Sequence, residues 1–149
     1  MIKILRLLAT LLLILSLSSC VNSERIKSTF LGDMELSQFR DIDFEQLQKT
    51  IDSSNGINDP MDVLEMNPHR ILESSSETTA ITQSYKSKFG NSYLFYKREN
   101  LNDDSYNGIT IWMEYDTSIT GNIEIIELKE SFQCKDGRGH QEWSAKPCN

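Results

Sequence analysis

The hydrophobic pattern of this chain changes its period three times. From Leu7 to Leu17 the sequence reads LLATLLLILSL, an apolar run broken only by Thr10 and Ser16, with Lys3 and Arg6 ahead of it. Crossing a bilayer takes about 20 apolar residues, and counting from Ile4 gives only fourteen positions before Ser18. A positive start, a short apolar core and small residues at its end form the pattern of a secretory signal over residues 1–19. An uncleaved membrane anchor is the alternative reading. Residues 20–28 are polar and aperiodic and read as a tether.

Helical spacing follows. Phe44, Leu47 and Ile51 fall on one face. Asp43 is expected as the N-cap, with Gln46 three residues on as in a capping box. Asn55-Gly56 ends this helix. Asp59-Pro60 starts a second one, with Met61, Val63 and Leu64 supplying its apolar side. Asn67-Pro68 stops it, because the residue before proline avoids helical angles.

From Thr79 the period becomes two. Ile81, Gln83, Tyr85 and Phe89 alternate with Thr82, Ser84, Lys86 and Lys88, and Gly90-Asn91 reads as a hairpin turn. Ser92–Arg98 is apolar enough for a central strand. After a polar loop over 99–108, Ile109, Ile111, Met113 and Tyr115 alternate with Thr110, Trp112 and Glu114. In the last strand, Ile123 and Ile125 share one parity and Ile126 and Leu128 the other, which a bulge near Ile125-Ile126 reconciles. The expected fold class is α+β: two short N-terminal helices packed on a three- to four-stranded antiparallel meander, forming one domain over 29–149.

Charge and cysteines narrow the picture. The formal net charge of −7 becomes −9 once Lys3 and Arg6 leave with the leader, over the remaining 130 residues. An acidic domain does not suit nucleic acid, whose phosphates call for a basic face. Of the three cysteines, Cys134 and Cys148 bracket a segment with two glycines and a proline, and a disulfide between them is the simple outcome in an exported chain. Cys134, His140 and Cys148 also offer three soft ligands, but structural zinc wants four and only Asp136 or Glu142 stands nearby. Calcium at Asn102-Asp103-Asp104 fails on spacing, since the twelfth position from Asn102 is Met113. No nucleophile elbow, phosphate loop or paired-histidine motif occurs, so no catalytic residue, metal or cofactor is assigned.

Leu17-Ser18-Ser19-Cys20 resembles the lipobox of bacterial lipoproteins. The resemblance implies cleavage before Cys20, acyl chains on that cysteine and attachment to the cell envelope. Two acyl chains anchor stably where one holds marginally. Val21 stands where many inner-membrane lipoproteins carry Asp, which implies the outer membrane, with the domain facing the periplasm. The order of lipobox, two short helices and a small meander is similar in layout to the BamE (SmpA/OmlA-type) small envelope lipoproteins. That likeness implies an accessory role in outer-membrane assembly, and the strand near 79–89 and the cysteine loop depart from it.

The leading expectation is a non-enzymatic lipoprotein, held to the membrane through Cys20 and acting on an envelope protein partner. Leu94, Tyr96 and Trp112 are the candidate contact residues, read as an exposed strip opposite the helices. The alternative is an immunity-type inhibitor of a toxic enzyme in the periplasm.

Overall fold

The computed structural model describes residues 31–54, 56–66, 79–86 and 90–149. The expected leader over 1–19, Cys20, the expected tether over 20–28, the expected stop at Asn67-Pro68, and His69 lie outside them. The chain divides into two compact units, Met1–Glu35 and Leu36–Asn149. Of the first, residues 31–35 are described, a turn in which the Met34 N–H donates to the Leu31 carbonyl at 3.0 Å.

The second unit is an α+β fold. A short 3-10 turn (Leu36–Gln38) leads to strand β1 (Arg40–Asp41), helix α1 (Glu45–Ser53) and helix α2 (Pro60–Met66). Strands β2 (Thr79–Tyr85), β3 (Ser92–Glu99), β4 (Tyr106–Thr117) and β5 (Ile123–Cys134) follow. All neighbours pair antiparallel, in the order β1-β5-β4-β3-β2. The sheet therefore has five strands rather than three to four, and the helices are not the first elements, because β1 precedes them.

The two-residue β1 is held by its side chains. Arg40 Nε donates to Glu130 Oε1 at 2.8 Å and its guanidinium lies 4.8 Å from the Phe132 ring centroid. On the other face Lys129 pairs with Asp41, and with Glu127 at 3.2 Å. Two polar residues carry no strand pattern of their own, which is why alternation does not reveal β1.

One sheet face carries Leu94, Tyr96, Ile111, Met113, Tyr115, Ile125 and Leu128, and these form the core with Leu47 and Ile51 of α1 and Val63 and Leu64 of α2. The register of β4 on β5 slips between Glu114↔Glu127 and Tyr115↔Ile125, so Ile126 is the extra residue, as the two apolar parities of this strand require. Gln48 of α1 clasps this irregular stretch: its Oε1 accepts the Ile125 N–H at 2.9 Å and its Nε2 donates to the Ile123 carbonyl at 3.1 Å. Asn122, in the turn before β5, donates to the Ile51 and Ser54 carbonyls at 3.3 and 3.2 Å, satisfying groups that a helix end leaves without partners.

Helix α1 departs from its expected start. Phe44 is the N-cap residue and makes no side-chain cap bond, while Asp43 accepts the Glu45 N–H at 3.0 Å. The carboxylate thus serves the first turn from one position further out than a capping box needs.

Candidate functional site

Strand register decides where the expected contact residues lie. Leu94 pairs with Met113 and Tyr96 with Ile111, all on the helix-covered face, whereas Trp112 pairs with Phe95 on the opposite face. Leu94 is 1% and Tyr96 6% exposed, so neither belongs to an exposed strip. The three do not share a surface: in a pleated strand Trp112 and its neighbours Ile111 and Met113 point in opposite directions. The face turned from the helices instead carries Tyr93, Phe95, Lys97, Thr110 and Trp112, continued onto β2 by Ile81, Gln83 and Tyr85. Tyr85 stacks on Tyr93 with centroids 6.5 Å apart, and Tyr93 meets Trp112 at 5.4 Å. Trp112 itself is fully buried.

Strand β2 ends the sheet, and from Thr79 to Ser84 no described residue pairs with its outer edge. Its seven residues, TAITQSY, include no charge, and Ile81 and Tyr85 are 41% and 42% exposed. An uncharged edge that no described residue covers is a template for a further strand. Beside it, a cleft of about 310 Å³ is lined by Asp59, Met61, Thr82, Ser84, Lys86 and Tyr115, among others. Burial raises the Tyr115 phenol above its ordinary value; a hydrogen bond with Ser92 opposes the shift and the Asp59 charge adds to it.

The far end of the sheet holds the cysteines. Cys134, the last residue of β5, is bonded to Cys148 with Cα atoms 5.5 Å apart. Between them the chain turns at Gly137 and Gly139, then runs back beside β5, where Phe132 and Ser144 exchange N–H···O bonds of 2.9 Å in both directions. The Asn149 N–H donates to the Arg138 carbonyl at 3.0 Å, and the Ser105 hydroxyl to the Asn149 carbonyl at 2.8 Å, pinning the last residue. Trp143 lies over Gly108, with Lys97 Nζ 5.0 Å from its ring centroid.

His140 fills the corner. Its Nδ1 is 2.8 Å from the Glu142 carbonyl oxygen, and its Nε2 is 2.8 Å from that of Lys146 and 3.4 Å from Cys134 Sγ. Cys134, His140 and Cys148 bring their donor atoms within 4.8 Å of one another. With the two sulfurs bonded together, the group is a disulfide with an adjacent imidazole. Asp103, in the acidic loop, accepts the Ser105 and Tyr106 N–H groups at 2.8 Å each and so braces a turn. The edge of β2 and the place of Trp143 escape sequence reasoning. The absence of charge over 79–85 is the signal that could have found the first.

Comparison with known proteins finds no matching family model, no matching curated protein and no matching solved structure. Among the described residues, no helix is long and apolar enough to cross a membrane.

Proposed function

We propose that this chain is a non-enzymatic envelope lipoprotein, anchored to the outer membrane by lipid on Cys20, facing the periplasm and acting through protein contacts. The reading rests on the ordered run of cations, short apolar core and Leu17-Ser18-Ser19-Cys20. The Cys134–Cys148 bond supports it, because such bonds persist in oxidising compartments. The contact is assigned to the outer edge of β2, where an extended segment of an envelope protein adds as a sixth strand, its backbone giving affinity and Ile81 and Tyr85 giving side-chain selectivity. The BamE-like role remains a matter of layout, and β1 and the cysteine corner both depart from that layout.

The mass of the membrane-extracted protein, without reductant, tests the anchor. Loss of residues 1–19 with added acyl chains, abolished in Cys20→Ala, is expected. A full-length unmodified mass, unchanged by the substitution, refutes it. For the contact, a photocrosslinking residue at Gln83 should give one discrete adduct in intact envelopes, lost when Thr82→Pro removes a backbone donor. A ladder of unrelated adducts, insensitive to the proline, argues against strand addition.

A further inference from the structure

We propose that the Cys134–Cys148 disulfide is a thiol-exchange site, at which an incoming thiolate attacks Cys148 and Cys134 departs as a thiolate held by His140. The two sulfurs are not equivalent. Cys134 is 1% exposed, and the chain at Gly139 packs so close that a Cβ there would lie 2.9 Å from Cys134 Sγ. Cys148 is half-buried, between exposed Pro147 and Asn149. A nucleophile must approach along the sulfur–sulfur axis from the side away from the leaving group, so access selects Cys148.

The leaving sulfur is the one that His140 touches. Both ring nitrogens lie within hydrogen-bond distance of backbone carbonyls, which only accept. A proton on Nε2 is shared between the Lys146 carbonyl at 2.8 Å and Cys134 Sγ at 3.4 Å. A neutral disulfide sulfur accepts weakly. As the bond breaks, Cys134 gains a negative charge in a buried position, and the same N–H becomes a charge-assisted donor to it. A stabilised thiolate leaves faster. Donor and sulfur need no rearrangement to meet, because the Cys134 N–H is already bonded to the His140 carbonyl at 3.0 Å.

The exchange balances as follows. The thiolate of a small thiol forms a bond to Cys148 Sγ as the Cys148–Cys134 bond breaks, and the electron pair goes to Cys134. With a dithiol, its second thiolate displaces Cys148. Two electrons pass to the protein, the dithiol becomes a cyclic disulfide, and both protein thiolates take up protons. The substrate class is therefore a small thiol, a dithiol or a protein carrying one. The product releases the tail that Asn149 now pins.

The test uses the oxidised, folded chain. Brief exposure to limiting glutathione, acid quench and peptide mapping should find the mixed disulfide on Cys148 rather than Cys134. Predominant modification of Cys134 overturns the proposal without recourse to any variant. The second-order rate of reduction by dithiothreitol should fall at least about tenfold in His140→Asn, whose shorter amide reaches the Nδ1 position and leaves no donor at Nε2. An equal or faster rate in His140→Asn, with an unchanged melting temperature, removes His140 from the mechanism.

Discussion

Gly108 is where one missing atom matters most. A Cβ there would stand 2.7 Å from Trp143 Cη2 and 3.0 Å from the Arg98 carbonyl oxygen. The indole has taken the side-chain space of its neighbour two strands away. Gly108→Ala should therefore cost about 1–3 kcal/mol, the usual range for overpacking. Most of that cost should vanish in a Trp143→Ala background, leaving the strain against backbone. Urea midpoints of the four proteins in this cycle give the coupling; additive costs would mean that the indole is not what the new methyl meets. Residue-scale facts divide by range. The core parity of Ile109, Ile111, Met113 and Tyr115, and the extra residue Ile126, follow from spacing within a strand. The Gly108–Trp143 contact does not, because nothing local to either residue refers to the other.

Elements show the same division. Helices α1 and α2, strands β2 to β5, the polar loop after β3 and the cysteine staple are legible in the sequence, because each carries its own period, turn residues or paired cysteines. Strand β1 is not legible: it exists through Glu130 and Lys129, which are distant in the chain. The expected strip of Leu94, Tyr96 and Trp112 fails because parity, readable along one strand, does not say which side the helices cover. Gln48 illustrates a polar residue whose use appears only in three dimensions. Gln48→Leu keeps the helix but removes both bonds to β5, leaving an N–H and a carbonyl at the bulge without their side-chain partner. The expected loss is about 1–3 kcal/mol, with faster amide exchange at Ile125. Unchanged exchange there would show the clasp to be dispensable. Ile51→Ala, at a fully buried site facing the sheet, should cost more, about 2–5 kcal/mol, by thermal or urea unfolding.

At the scale of the whole molecule, three groups link stability to alkaline pH with one sign. Burial raises the Tyr96 phenol, opposed by the charge and hydrogen bond of Arg98, and burial likewise raises Tyr115. For Lys129 burial lowers the value, and hydrogen bonds and charge attraction from Asp41 and Glu127 outweigh it. In each case the folded chain holds its proton to higher pH than the unfolded chain. The stabilisation is thus complete below the ordinary values and is lost as pH rises past about 10. Urea midpoints should decline above that pH, and less steeply in the Tyr96→Phe, Tyr115→Phe double variant; a rise with pH would contradict the assignment. Breaking the disulfide, which closes a loop with a separation of 14 residues, should cost about 3 kcal/mol by the chain-entropy estimate. The clasp between α1 and β5 has a further consequence, for the order in which the chain can fold. Gln48 reaches Ile123 across 75 residues, Ile51 meets Asn122 across 71, and Arg40 finds Glu130 across 90. Contacts of such sequence separation form late, since their loops must close first. A growing chain that stops short of Ile123 has the β3 and β4 part of the core for its first helix, but none of the bonds that hold that helix and β1 to the last strand and its turn. Such a chain leaves the Ile125 and Leu128 side of its core uncovered until the last strand arrives.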